Sequence, residues 1–376
     1  MFRRLRHLIR KEFIQVLRDK KLRLFIFLPP LVQLIAYGYA INFDIKEVGT
    51  AIYDEDRSAA SRHLISRFTA SEYFRVKYFV NHEAELRRLI DDNRITMALR
   101  LPHDFSRQLK AGDSAKVQVI IDATDSNAAL IVGRYAATVL NDFSVALMQE
   151  RLARLGAVQG LTTPVEVEQR AWFNDNLLSR YSFVPGVIAM VVLLVSLMLT
   201  ALAVVREKEI GTMEQILVSP IRPLEFMLGK TIPFVLISLV DMILVIIVAV
   251  YWFEVPLRGS LAVLFLGTLT FLFNSVGLGL FISTVSSTQQ QAMMAGTFFF
   301  TPAIMLSGLI FPIANMPEFF QYLTYLNPLR YFVIVVQGIF LRGDGLGILW
   351  PQLVGMTILG LTLLALSVWR FQRRLA

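Results

Sequence analysis

The chain has 376 residues, of which 55% are hydrophobic, and its mean hydropathy of +0.56 excludes an ordinary soluble protein. It contains no cysteine, which excludes disulfide bonds and thiolate metal sites, and its four histidines show no ligand spacing. The net charge of +8 is unevenly distributed: residues 44–175 carry 17 basic and 19 acidic side chains, whereas the remainder carries 20 basic and 10 acidic ones, mostly beside apolar runs. This distribution indicates an integral membrane protein that follows the positive-inside rule, and it argues against nucleic-acid binding.

The N-terminal 23 residues carry nine Lys and Arg side chains, and their apolar residues recur at helical spacing. The pattern predicts a basic amphipathic helix, residues 1–23, lying on the cytoplasmic surface of the bilayer. A signal-peptide n-region is the alternative, which is disfavoured because no convincing cleavage site follows. Residues 24–42 form the first predicted span despite Pro29 and Pro30, and the preceding basic residues place the N-terminus inside.

Residues 43–176 are polar and are predicted to form a small α/β domain on the far side of the membrane. Short apolar runs predict four strands, at residues 48–53, 73–80, 95–101 and 117–121. Helices are predicted between them, at residues 58–68 and 83–90, with a further turn at residues 103–110. Asp125 and Ser126 then cap a longer amphipathic helix, and the alternation of strands and helices indicates the α/β class.

Residues 177–376 are predicted to contain the other five of six spans. These are residues 181–205, 231–252, 260–284, 291–311 and 346–369. Residues 312–341 are apolar but interrupted by prolines, and they are predicted to form helices at the outer face, partly re-entrant where protein or water shields the backbone. Arg370, Arg373 and Arg374 hold the C-terminus inside, so both termini are predicted to be cytoplasmic. The fold class is therefore an α-helical polytopic membrane protein with one α/β domain between its first two spans.

The segment between the second and third spans is the most charged inner loop of this region. Arg206, Glu207, Lys208 and Glu209 form a mixed-charge cluster where the second span leaves the membrane. Thr212 and Gln215 have the spacing of a capping box, and Pro220 ends the run that follows. The pattern predicts a short amphipathic helix within residues 206–220, held at the membrane surface. An ordinary solvated loop is the alternative.

No motif in the sequence predicts catalysis. Gly229, Lys230 and Thr231 resemble the end of a P-loop, but position 224 is leucine where that motif requires glycine, and the tripeptide opens a span. We find no nucleophile–base–acid set, no catalytic carboxylate pair and no metal-ligand cluster. We therefore expect a non-enzymatic chain that binds no cofactor or metal of its own.

Asp241 lies near the middle of the third predicted span. An ionisable side chain in a span is costly, which makes it a functional candidate. A structural hydrogen bond to Ser238 or Asn274 is the alternative, and the sequence does not decide between them. We place Asp241, Asn274, Pro302 and Ser307 on a candidate substrate pathway.

Five stretches, in order along the chain, resemble a known family. They are LIRKEFIQVLRDK near the N-terminus, AIYDEDRS at 51–58, REKEIGTMEQILVSP at 206–220, MLSGLIFPIANMP at 305–317 and LNPLRYF at 326–332. Together they make the chain similar to the permease subunits of ABC type-2 exporters, close to the bacterial multidrug-efflux permeases. Each stretch alone is a weak signal.

The resemblance implies a transport mechanism. Two permease copies, identical or merely similar, pair in the bacterial cytoplasmic membrane, and each docks a separate ABC ATPase subunit that holds ATP and Mg. Closure of the ATPases pushes a coupling helix, residues 206–220, and a connecting helix at the N-terminus. The residues implied in this coupling are Lys11, Glu12, Arg206, Glu207, Glu209, Gly211, Thr212, Glu214, Gln215 and Pro220. Whether a periplasmic adaptor takes part stays open.

Two other functional classes are less compatible with the sequence. A membrane-anchored receptor or scaffold needs one or two spans and a cytoplasmic output domain, neither of which matches the predicted architecture. An ion channel needs a polar pore-lining stripe or a ring of charges, which the spans do not show. The apolar, aromatic-rich spans suit the outward transport of a lipophilic or amphipathic compound, although contact with the lipid bilayer explains the same composition.

Overall fold

The computed structural model describes residues 2–18, 20–40, 47–154, 172–174, 178–211 and 223–375. The chain divides into two compact units, one formed by Asn42–Arg170 and the other by Met1–Ile41 together with Ala171–Ala376.

The first unit contains a four-stranded sheet. Its strands are β1 (Val48–Asp54), β2 (Phe74–Val80), β3 (Met97–Leu101) and β4 (Gln118–Ile121). The strand order is β2-β1-β3-β4, in which β1 pairs in parallel with β2 and β3, and β4 is antiparallel to β3. The two central strands, β1 and β3, are largely buried, which agrees with their mainly apolar composition.

Four helices surround this sheet. They are α3 (Ala59–Ala70), α4 (Glu83–Asp91), α5 (Phe105–Ala111) and α6 (Ser126–Arg154). The Ser58 hydroxyl caps α3 by accepting from the Ser61 N–H, and the Asp125 carboxylate accepts from the first N–H groups of α6. One face of α6 carries Val132, Ala136, Val139 and Phe143 into the core. The observed strands and helices of this unit correspond to the predicted ones within about two residues.

The described residues of the second unit are mainly α-helical. The helices are α1 (Phe2–Arg18), α2 (Lys20–Ala40), α7 (Ser179–Ile210), α8 (Pro223–Tyr251), α9 (Leu261–Val285), α10 (Gln289–Met305), α11 (Glu318–Leu323), α12 (Pro328–Gln337) and α13 (Leu346–Leu375). Within the segment predicted as an amphipathic helix, residues 2–18 and 20–23 are helical, and position 19 between them lies outside the described residues.

Five of the described helices are long and apolar enough to cross a membrane, or six if one bent pair is counted as a span. Four of them, α7, α8, α9 and α13, coincide with predicted spans. Two other predicted spans form shorter apolar helices: the apolar part of α2 is Ile26–Tyr39, and α10 has 17 residues. The fifth long helix is α6, to whose hydropathy the exposed Leu130, Val145 and Met148 contribute, although another face packs in the core of the α/β unit.

Helix α7 occupies the centre of this unit, and most of its length is buried. Helix α9 packs against it so closely that a Cβ atom at Gly279 would lie 1.9 Å from the Thr200 Oγ1 atom. A glycine is therefore required at this crossing, because any side chain would force the two helices apart.

The segment predicted as outer-face helices is a bent element. The helical run Glu318–Leu326 meets Pro328–Arg342 at an angle of 84°. Asn327 makes the bend stable, since its side chain caps α12 at the Leu329 N–H and donates to the Ala303 carbonyl oxygen. Such a bend in an apolar run is typical of a broken span or a re-entrant loop.

Candidate functional site

The candidate site is built on the last turn of α7, where four charged residues follow a long apolar run. Arg206, Glu207, Lys208 and Glu209 continue the helix, which ends at Ile210. Gly211 terminates it with φ of +80° and donates its N–H to the Lys208 carbonyl oxygen at 3.2 Å. The charges predicted to begin a separate surface helix are thus fixed rigidly to α7.

Glu207 lies in a buried ion cluster at this end of α7. The Lys230 Nζ atom of α8 lies 2.6 Å from the Glu207 Oε1 atom and 2.7 Å from the Glu12 Oε1 atom of α1. The three side chains are 4–6% exposed. The Lys11 Nζ atom, on a half-exposed side chain, lies 3.3 Å from the same Glu207 oxygen. Among the described residues, two carboxylates and two ammonium groups meet in this cluster, and such pairing offsets the cost of burying charge.

Local sequence explains why these groups meet. Glu12 lies on the face of α1 that packs inward with Val16, while most basic residues of that helix are exposed. Gly229 precedes Lys230 on α8, and a Cβ atom there would lie 2.8 Å from the Leu8 Cβ atom of α1. The missing side chain at Gly229 lets α1 approach α8 closely enough for Glu12 to reach Lys230.

The two charges after Glu207 contact different helices. The Lys208 Nζ atom donates to the carbonyl oxygens of Ser283, Thr284 and Ser286, at 3.0, 3.2 and 3.3 Å, where α9 ends. The Glu209 carboxylate accepts from the backbone and side-chain nitrogens of Gln289, at 3.2 and 2.8 Å, where α10 begins. Each charge has the sign that favours its helix terminus, positive at a C-terminus and negative at an N-terminus.

Three consecutive side chains of α7 thus connect it to four other helices, α1, α8, α9 and α10. A displacement of this end of α7 is transmitted to all of them, because each link is an ion pair or a hydrogen bond to a charged group. The arrangement suits the transmission of movement. Among the described residues, no group of His, Asp or Glu side chains could hold a metal ion.

Asp241 lies fully buried on α8, one turn after Ser238. Within the described part of the chain, neither carboxylate oxygen of Asp241 has a hydrogen-bond partner, and the Ser238 hydroxyl has none either. The Asn274 amide donates instead to the carbonyl oxygens of Thr270 and Met356. Neither hydrogen bond considered from the sequence is therefore formed, which removes the structural explanation offered there for Asp241.

The other residues of the predicted substrate pathway have simpler environments. Asn274 is buried and connects α9 to α13. The Ser307 hydroxyl donates to the Ile304 carbonyl oxygen and accepts from the Leu309 N–H, which fixes the turn after α10. Pro302 is exposed on α10. The side chains of Asn274 and Ser307 thus form hydrogen bonds, whereas that of Asp241 forms none among the described residues, and the pathway itself stays a prediction.

The sequence matches one family model, described as ABC-2 family transporter protein, over residues 20–369. The chain belongs to the ABC-2 transporter family. It is 33% identical to the probable multidrug ABC transporter permease YbhR of Escherichia coli strain K12 over the whole of both chains. It is 34% identical to the probable multidrug ABC transporter permease YbhS of the same strain, covering 91% of this chain and 90% of the relative. The inner membrane transport permease YhhJ of that strain is 28% identical over 96% of this chain and 95% of its own length.

These comparisons confirm the resemblance to ABC-2 permeases. The ABC-2 chain is therefore a multi-pass transport component rather than an enzyme. Of the residues that the resemblance implied in coupling, the structure describes Lys11, Glu12, Arg206, Glu207, Glu209 and Gly211. It brings Lys11, Glu12 and Glu207 together, whereas Glu209 lies against α10. Thr212, Glu214, Gln215 and Pro220 lie outside the described residues, so their role in the ABC-2 chain stays a prediction.

Sequence reasoning missed Lys230 and Lys208 in this ABC-2 chain. Lys230 was considered only as part of a nucleotide-binding motif that it does not form. The sequence does place a lysine at the start of one apolar helix and an acidic residue at the end of the preceding apolar helix. Both positions lie at the same membrane surface in the predicted topology, so the pairing could have been predicted. A buried cation at such a position requires an acidic partner, and the sequence offers Glu207 and Glu12.

Proposed function

We propose that this chain is the membrane-spanning permease subunit of an ATP-driven exporter. Membership of the ABC-2 family implies an ABC ATPase partner, and that partner supplies ATP and Mg binding. The observation that carries the proposal is the buried Glu12–Lys230–Glu207 cluster, because it joins the charged end of α7 to α1 and α8. A push on this end moves several spans together.

The exported compound is lipophilic or amphipathic in this proposal. Two relatives are named as probable multidrug permeases, and the spans of this chain are apolar and rich in aromatic residues. Two copies, identical or similar, form the transport pathway, and Asp241 lies on it. The α/β unit lies outside the cytoplasm and both termini lie inside, as the distribution of basic residues favours.

Purification of the chain with and without its ATPase tests the proposal. The chain alone is expected to hydrolyse no ATP, whereas the complex, reconstituted in liposomes, hydrolyses ATP faster when a lipophilic substrate is added. Glu214→Ala is expected to leave membrane insertion intact and to release or uncouple the ATPase, since loss of one partner of a desolvated pair costs about 2–5 kcal/mol of binding. Hydrolysis by the chain after every ATPase has been removed would refute the proposal.

Single-cysteine labelling tests the orientation. The natural chain has no cysteine, so each introduced thiol reports one position. Ser114→Cys, in the α/β unit, is expected to react with a membrane-impermeant reagent added from outside the cell. Labelling only after the inner face is exposed would show that the orientation is reversed. Arg373→Cys, near the C-terminus, is the matched control and is expected to react only from the inside.

A further inference from the structure

Apart from Lys11, which contacts Glu12 and Glu207, the cationic side chains at the N-terminal end of the chain have no acidic partner among the described residues. The exposed ones are Arg3, Arg6, His7, Arg10, Arg18, Lys20 and Arg23, and none of them forms an ion pair or a side-chain hydrogen bond there. In the sequence, only Glu12 and Asp19 are acidic before Asp44. Glu12 is buried against Lys230, and Asp19 lies outside the described residues. The exposed described surface of α1 and the start of α2 therefore carries positive charge only.

A groove on α2 places two of these cations directly above an apolar surface. It has a volume of about 370 Å³ and is lined by Lys20, Arg23, Leu24, Phe27, Leu28 and Leu31. These residues are spaced at three and four positions, so they share one helical face about 16 Å long. Leu24 and Leu28 are 61% and 48% exposed. The groove thus has a cationic end and an apolar continuation along a predicted span.

We propose that this groove binds one anionic phospholipid. The phosphate pairs with Lys20 and Arg23, and an acyl chain lies along Leu24, Phe27, Leu28 and Leu31. An anionic headgroup is favoured because both charges in the groove are positive, whereas a choline headgroup would bring a further positive charge beside them. An acyl chain is favoured because the apolar part runs along a helix that enters the hydrocarbon, where lipid is the surrounding solvent.

A second groove on α1 repeats the same combination of groups. It has a volume of about 580 Å³ and is lined by Arg6, Ile9, Arg10, Phe13, Ile14 and Arg18. Arginines surround an apolar floor there, whereas the α2 groove has Lys20 and Arg23 at one end. Anionic lipid at the α2 groove would anchor the N-terminal region that also carries Glu12, and so would hold one side of the buried ion cluster at the bilayer surface.

Lipid selectivity of the purified full-length chain tests the proposal without any ATPase. The chain is reconstituted in dioleoyl-phosphatidylcholine containing spin-labelled phosphatidylglycerol or spin-labelled phosphatidylcholine, and the immobilised fraction of each label gives its relative association constant. Each basic residue near an anionic lipid contributes about a fivefold preference at low ionic strength. Wild type is therefore expected to prefer phosphatidylglycerol, and Lys20→Gln with Arg23→Gln is expected to lose most of this preference.

Three comparisons make the result specific. Arg67→Gln with Arg88→Gln removes the same charge from exposed positions of the α/β unit and is expected to keep wild-type selectivity. Lys20→Arg with Arg23→Lys keeps both charges and is expected to keep it as well. Salt at about 1 M shortens the screening length to about 3 Å and is expected to abolish the preference in wild type. A wild-type chain without preference for phosphatidylglycerol, or a folded Lys20→Gln/Arg23→Gln variant with full preference, would overturn the proposal.

Discussion

Lys230 lies between the carboxylates of Glu12 and Glu207, with its Nζ atom 2.7 Å from one and 2.6 Å from the other. The two glutamates belong to different helices, and they are brought together by a lysine on a third. Removal of the lysine leaves two buried negative charges that face each other. Its removal is therefore expected to cost more than the loss of one ion pair.

Lys230→Met is expected to destabilise the chain by about 3–5 kcal/mol, because it leaves buried carboxylates without their common partner. The measurement is thermal unfolding in detergent, followed by protein level in the membrane. Lys11→Met is the matched control, since that side chain is 52% exposed and its ion pair is expected to contribute at most about 1 kcal/mol. The triple variant with Glu12→Gln and Glu207→Gln is expected to recover much of the loss. Equal stability of Lys230→Met and Lys11→Met would contradict the electrostatic role of the cluster.

Lys208→Met is expected to loosen the connection between α9 and α10. Its ammonium group contacts three carbonyl oxygens at the end of α9, and these lose their charged donor. Hydrogen exchange is the measurement, and faster exchange is expected for residues 286–288 than in wild type, with α12 unchanged as the internal reference. Glu209→Gln keeps an acceptor for Gln289 and is expected to have a smaller effect. Unchanged exchange of residues 286–288 in Lys208→Met would show that the contact is not stabilising.

The effect of each substitution at Gly211 is expected to depend on how much free energy the new residue needs to adopt the φ of +80° found there. Asn is tolerated best, Ala costs about 1–2 kcal/mol, and Pro is excluded because its ring fixes φ near −65°. The order of stability and of transport is therefore Gly, Asn, Ala, Pro. Gly347→Ala is the control, because a Cβ atom there meets nothing within 4 Å and φ is not positive. Normal transport by a Gly211→Pro variant would show that the end of α7 need not stop at this residue.

Asp241→Asn is expected to leave stability unchanged or to raise it, since the described carboxylate has no hydrogen bond to lose and its burial is costly. Export of the substrate is nevertheless expected to fall, because the proposed function places this buried carboxyl group on the transport pathway. Efflux from loaded vesicles and thermal unfolding are measured on the same preparation. Ser238→Ala serves as the comparison, one turn away and also unpartnered. A lower unfolding temperature would indicate a structural role, and normal export would remove Asp241 from the pathway.

The α/β unit shows how far short-range pattern determines structure. Its β1 strand begins at the predicted residue, and the Ser58 and Asp125 caps lie where turn chemistry places them. Helix caps and strands depend mainly on residues close to one another in the chain, so a single sequence is enough to predict them. The strand order β2-β1-β3-β4 depends instead on which distant segments pair, and the pattern does not encode it.

Amino-acid composition alone does not decide which helices cross the membrane. Helix α6 has the length and hydropathy of a span, yet one of its faces packs in the core of the α/β unit. The α10 helix has only 17 residues although its segment was predicted to cross. Hydropathy measures the average character of a helix, whereas its environment depends on which face meets which neighbour.

The sequence by itself determined the membrane class, the division into a polar and an apolar part, and the family, because each of these depends on composition, charge distribution and ordered motifs. It also singled out Lys11, Glu12, Glu207 and Asp241. Only the tertiary structure decided that Glu12 and Glu207 share Lys230, and that Asp241 has no partner among the described residues. Two charges form an ion pair only when they lie within a few ångströms of each other. Here that proximity results from the packing of helices that lie about 20 to 200 positions apart in the chain, and a local sequence pattern does not predict such packing.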